Sequence, residues 1–227
     1  KATVPGTVHT DLLNNKSIPD PFYRDNEHKV QWVEQQTWIY QKQFTIPTKV
    51  LSGKFAWLVF DGLDTHASVI LNNDTILYAD NMFRQWKVDV KNKLKKQNIL
   101  RIVFHPTSVL AKHYKASAPF PYPDNERVFV RKAQYQFGWD WSLRMLTMGF
   151  NEPAKVIVYS SNRVLANYSN TLEVSDEQAV SEFTLLLAKE SSESFTWKST
   201  LFGDQILTCE NKRLKRTEII SNPKLWW

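Results

Sequence analysis

Only one cysteine, Cys209, occurs in the 227 residues, so no disulfide can form within the chain. That fits a reducing compartment, and it equally permits secretion of a domain with a sufficient core. Glycine is scarce, at 6 residues, and no glycine-rich phosphate loop or Gly-x-Ser-x-Gly nucleophile elbow is present. His9, His28, His66, His105 and His113 are scattered, so no metal-ligand spacing arises and no metal or cofactor is expected. No apolar run approaches the ~20 residues of a membrane-spanning helix. The net charge of +6 is modest. Its densest basic cluster, Lys91 to Lys96, reads as a solvated hairpin end rather than a phosphate track, so no nucleic-acid partner is expected.

Large rings are plentiful. The chain has 9 tryptophans, and aromatic residues make up 13% of it. They supply much buried area per residue and also suit stacking on sugars or bases. The stretch around which the chain is organised is Arg131 to Trp141, RKAQYQFGWDW. Trp139, Asp140 and Trp141 set a carboxylate between two indoles. Indole faces pack on the C–H face of a sugar ring, and a carboxylate accepts hydrogen bonds from neighbouring hydroxyls. The structural alternative is a tryptophan pair packed in a core, with Asp140 neutralised by Arg131 or Lys132, because a buried charge needs a partner.

Strand signals dominate. Lys54 to Phe60 is apolar on both faces, as in a central strand. His66 to Leu71 and Thr75 to Tyr78 flank Asn72-Asn73-Asp74 and predict a β-hairpin. In Arg84 to Val90, Trp86, Val88 and Val90 share a face. Asn98 to Phe104 and Lys155 to Tyr159 add strands, and Gln31 to Tyr40 with Gln43 to Ile46 reads as strand material. Thr7 is placed to cap a short helix ending at Leu13, and no other sustained helical period is seen. Asp20 to Glu27 reads as a loop, and Pro106 to Asp124, with Tyr114, Phe120 and Tyr122, as a long connection.

The pattern predicts an all-β protein made of sandwiches. The character changes near Ser160-Ser161-Asn162. A second, smaller sandwich is expected beyond it, built from Val164 to Val174, Ala179 to Ala188, Phe195 to Phe202 and Gln205 to Thr208. The last residues, Leu225-Trp226-Trp227, are unusually apolar for a terminus and predict a truncation. Lys1 leads directly into a turn-like Val4-Pro5-Gly6-Thr7 with no signal-peptide pattern, so either a trimmed precursor or a fragment is expected. Asn15, Asn73 and Asn167 head N-glycosylation triplets, with Asn73 in the expected exposed turn. Glycoside hydrolysis requires two carboxyls across a sugar. The near pairs Asp61/Asp64 and Glu173/Asp176 fall in expected turns, so the residues show no catalytic machinery.

Six segments, in order, carry a resemblance: VPGTVHTDLL (4–13), DPFYRDNE (20–27), FDGLDTHASVILN (60–72), DNMFRQW (80–86), VRKAQYQFGWDW (130–141) and NPKLWW (222–227). They resemble the non-catalytic front of β-mannosidases, in the superfamily of retaining glycosidases that includes β-galactosidase and β-glucuronidase. The resemblance implies a jelly-roll, galactose-binding-like domain over 1–160 and an immunoglobulin-like sandwich over 161–227. It also implies an (α/β)8 barrel, absent from this chain, that carries the catalytic glutamates. The substrate would be an oligosaccharide with a terminal β-linked mannose, and the location lysosomal or secreted. Trp139, Asp140 and Trp141 match the segment that completes the mannose pocket, with Asp140 as acceptor. Asn26 and Asn81 are secondary contacts, for which a turn-stabilising role weighs as much. Two departures stand out. Ser142-Leu143 replaces the family's Gly-Pro, and Asn151 stands where it has tryptophan. They keep open a second reading, a carbohydrate-binding or structural module without the enzyme's activity.

Overall fold

The computed structural model describes residues 1–121 and 126–225. Tyr122 and Asp124 of the expected long connection, and Trp226 and Trp227, lie outside the described residues. The chain divides into two compact units, Lys1–Tyr159 and Ser160–Trp227.

In the first unit, helix α1 (Val8–Asn14) starts where expected. The Thr7 hydroxyl accepts from the Thr10 amide, and the Thr10 hydroxyl accepts from the Thr7 amide, a reciprocal cap that satisfies two otherwise orphan donors. Strands β1 (Trp38–Thr45), β2 (Phe55–Phe60), β3 (Ala67–Leu71), β4 (Asp74–Ala79), β5 (Trp86–Asp89) and β6 (Gln97–Phe104) follow. Helix α2 (Thr107–Ala116) comes next, then the small strands β7 (Phe137–Trp139) and β8 (Ser142–Arg144), and β9 (Lys155–Tyr159).

Two antiparallel sheets result. One runs β1-β6-β3-β4 and the other β9-β2-β5. Strand β2 is central in the second and buried on both faces, as its sequence predicts. On β6, Leu100, Ile102 and Phe104 point inward and are buried, while Arg101 and Val103 alternate outward. The core gathers Phe60, Val69, Trp86 and Phe104 from both sheets, joined by Val90 and Phe150 from outside them. Burial of each such large side chain contributes about 1.5–3 kcal/mol. Strands β3 and β4 meet in a two-residue turn with Asn72 at φ 52° and Asn73 at φ 77°, the backbone a twisted hairpin demands. Short pairings of Gly149–Phe150 with Gly6–Thr7 and with Leu63–Asp64 tie together three distant parts of the chain.

The second unit pairs β10 (Val164–Val174), β11 (Gln178–Leu187) and β14 (Arg213–Ser221) antiparallel. Strands β12 (Ser194–Trp197) and β13 (Gln205–Thr208) form a separate ribbon. Leu187, Leu207 and Leu214 make its small core. The protein is all-β with few helices, as the sequence predicts.

Four local expectations are corrected. Thr107–Ala116 is a helix rather than a connection; its buried face is Thr107, Ser108 and Ala111, which gives no apolar stripe to detect. Gln31–Gln35 is a 3-10 helix and the strand begins only at Trp38. Within the expected loop 20–27, Asn26 opens a short helix, Asn26–Lys29. Strand β14 was not expected, because buried Arg216 interrupts its apolar alternation.

Candidate functional site

Trp139, Asp140 and Trp141 form the tip of the β7–β8 hairpin. Trp139 pairs with Ser142 and Phe137 with Arg144, leaving Asp140 and Trp141 as the turn. Gly138 sits at φ 95°, a conformation that favours glycine. A Cβ there would already lie 3.3 Å from Arg144 Cβ, so the two strands close tightly behind the tip.

The tip faces solvent. Trp139 is 47% and Trp141 69% exposed, and Asp140 is exposed as well. Among the described residues, the Asp140 carboxylate has no hydrogen-bond or ion-pair partner. The alternative of a buried tryptophan pair with a neutralised aspartate does not hold. Lys132, one of its expected partners, is buried elsewhere, with its ammonium on Asp64. The Tyr135 ring lies 5.4 Å from that of Trp141, and the Arg127 guanidinium stands 4.9 Å from the Trp139 ring centre, within cation–π range. The indoles are thus held from behind while their other surfaces stay open. Two partly open ring faces and an exposed carboxylate are thus displayed together at one tip. A cavity of about 1060 Å³ opens between the two sheets, lined by Tyr40, Phe44, Leu58, Ile102, Phe150 and Val156. No tip residue lines it, and its apolar walls are the facing sides of the sandwich.

Two of the other sequence-selected segments, 20–27 and 80–86, meet the hairpin and its lead-in as supports. The Glu27 carboxylate accepts from the Arg144 amide at 2.7 Å. Met82 N–H donates to the Arg131 carbonyl at 3.1 Å, and Asn81 bridges to Arg131 along the backbone. Asn26 is buried; its amide donates to the Asp20 carbonyl, and its oxygen accepts from Lys29. The Asn81 oxygen accepts from the Phe83 amide. Both asparagines therefore have turn-holding bonds of their own. Asn151 donates to the Met82 carbonyl at 3.3 Å.

Beneath the hairpin lies a buried polar group that sequence reading missed. Lys132 Nζ lies 2.5 Å from Asp64 Oδ1 and 2.6 Å from the Thr147 carbonyl. The Thr147 hydroxyl donates to Asp64 Oδ2, and its amide to the Gln136 side chain. Burial pulls the Lys132 pKa down, against the opposing pull of Asp64. His9 is buried nearby, and among the described residues its Nδ1 has no hydrogen-bond partner. Desolvation first and the Lys132 charge second lower its pKa to about 4. Asp64, expected in a turn, lies instead in a short buried strand, and its partner is 68 positions away. Local sequence carries no signal for such a pair. Asp61 is the ordinary case, meeting Lys155 at 2.8 Å on the surface. Among the described residues, no group of three or more His, Cys, Asp or Glu is arranged to hold a metal ion.

Residues 1–152 match the family described as glycosyl hydrolase 2 galactose-binding domain-like. The chain belongs to this family. β-Mannosidase B of Emericella nidulans is 33% identical over 241 residues, covering 99% of this chain and 28% of that protein. β-Mannosidase B of Thermothelomyces thermophilus is 35% identical, covering 98% and 27%. The crystal structure of a β-D-mannosidase from Dictyoglomus thermophilum matches the whole chain with a TM-score of 0.82 at 33% identity, over 29% of its own length. An exo-chitosanase from Amycolatopsis orientalis, at 16% identity and a TM-score of 0.63, shares the fold. The chain thus spans a little over a quarter of the length of the curated relatives it matches, and those relatives are β-mannosidases.

Proposed function

We propose that this chain is the front part of a retaining exo-glycosidase that removes terminal β-linked mannose from oligosaccharides. Lys1–Tyr159 is the galactose-binding-like jelly roll, and the unit from Ser160 belongs to an immunoglobulin-like sandwich. An (α/β)8 barrel outside this chain supplies the catalytic carboxylates. The observation that carries the reading is the exposed, unpaired Asp140 between two exposed indoles at a hairpin tip. An unpaired carboxylate there is free to accept from two sugar hydroxyls, and the indoles offer it apolar walls. Contacts that strengthen in the transition state raise turnover without holding the substrate more tightly. In this reading Asn26 and Asn81 are secondary contacts, and their own side-chain bonds support them as turn holders.

Asp140→Ala in the whole protein tests the reading. Hydrolysis of an aryl β-mannoside is expected to fall by about a hundredfold or more, the scale set by lost transition-state hydrogen bonds, with the fold intact by circular dichroism. Hydrolysis at the wild-type rate would refute it. The replacement of Gly-Pro by Ser142-Leu143 favours a second reading, a carbohydrate-binding module without activity. Mannoside binding with no turnover by the whole protein would select that one. A lysosomal or secreted location is supported by exposed Asn15, Asn73 and Asn167. Among the described residues, no helix is long and apolar enough to cross a membrane.

A further inference from the structure

We propose that Arg144 is the positioning residue of the site, setting the angle at which Trp139, Asp140 and Trp141 are displayed; the inference rests on the sugar-contact reading above. Arg144 closes the base of the hairpin opposite Phe137, and its polar groups go to one segment, Glu27 to Glu34. Its amide donates to Glu27 Oε1 at 2.7 Å, and its carbonyl accepts from Gln31 Nε2 at 2.7 Å. Its guanidinium forks onto Glu34, with Nη1–Oε2 at 2.6 Å and Nη2–Oε1 at 2.8 Å, and Nη1 also donates to Gln31 Oε1. Glu34 is 4% exposed.

A planar fork on a buried carboxylate fixes direction as well as distance, which a lysine ammonium cannot do. Main chain and side chain are clamped at once, so the base of the hairpin has no free rotation to pass to its tip. This matters because the turn has no proline, and its packing is limited to the Tyr135 ring against Trp141 and the Arg127 guanidinium over Trp139. Ser142 and Leu143 leave φ unrestricted, and the tip residues are exposed. The direction of the Asp140 carboxylate is therefore decided at Arg144, four residues away, by a segment more than a hundred positions earlier.

The test combines one spectroscopic and one kinetic measurement on Arg144→Lys. In the isotope-labelled chain, the indole N–H resonances of Trp139 and Trp141, assigned by Trp→Phe variants, are expected to shift or broaden. Those of Trp57 and Trp86 should stay. In the whole protein, kcat/KM for an aryl β-mannoside is expected to fall about tenfold, as for a misplaced contact group. In an Asp140→Ala background the same change should cost less than about twofold, since two residues acting through one contact are not additive. Unchanged indole resonances, or an equal loss in both backgrounds, would overturn the proposal. Should Arg144→Lys not fold, Gln31→Ala, which keeps the ion pair, must give the same pattern at smaller size, and its absence is equally decisive. If Asp140→Ala alone leaves hydrolysis untouched, the sugar reading fails, and the indole resonances then decide Arg144 by themselves.

Discussion

The Lys132 ammonium lies 2.5 Å from the Asp64 carboxylate, with side chains 0% and 4% exposed. Both charges were taken out of water, and each now depends on the other. Lys132→Met is expected to destabilise the first unit by about 3–5 kcal/mol, because it leaves the aspartate buried and unpaired. The double change Lys132→Met with Asp64→Leu should cost clearly less than the sum of the singles. Urea unfolding of the three variants measures this, and strict additivity would deny the coupling.

The tryptophans of the tip and the rings of the core predict opposite outcomes. Trp141→Ala removes a side chain that is 69% exposed and should change stability by no more than ~0.5 kcal/mol. Phe60→Ala and Phe104→Ala, each 0% exposed, should cost about 3–5 kcal/mol. Sugar affinity should follow the reverse order. A calorimetric scan beside a mannoside titration checks both halves.

Acid should weaken the first unit through His9. Burial holds its pKa at about 4, against 6.5 for an unperturbed imidazole. Between those values the unfolded chain binds a proton that the folded chain refuses. The contribution is complete above pH 6.5 and is lost progressively as pH falls towards 4, amounting to at most ~3 kcal/mol. His66, also lowered by burial, adds in the same sense. In His9→Gln the decline of the urea midpoint between these pH values should be visibly shallower. An unchanged slope would place the protonation elsewhere.

Of the three glycosylation triplets, Asn73 should be used most fully. It stands on an exposed turn, whereas the Asn15 amide already donates to the Lys1 and Asp11 carbonyls, and Asn167 lies within β10. Expression through a secretory pathway should yield a mass increase that Asn73→Gln removes. Loss of the increment on Asn15→Gln alone would reverse the assignment.

The segments with a clear period were legible. The apolar run at β2, the Asn72-Asn73 turn and the shared face of Trp86, Val88 and Val90 all appear in the structure as the sequence predicts. Helix α2 was not legible, because its buried face is two hydroxyls and an alanine, and β14 was not, because an arginine occupies an inward position. The same division runs through the site. The aromatic–acid–aromatic triplet could be singled out from residue types. Its support by Glu27, Glu34 and Arg144 could not, since a lone glutamate or arginine reads as ordinary surface charge.

What the amino-acid order determines alone is therefore the all-β class, the alternation that picks inward side chains, and the presence of an aromatic–acid–aromatic triplet. These depend on spacings of a few residues, where backbone geometry is local. Which charges are buried together, and in which direction Asp140 is shown, is decided only when segments far apart in the chain meet. An ion pair such as Lys132 with Asp64, or a fork such as Arg144 on Glu34, exists through distance in space, and separation along the chain does not encode it.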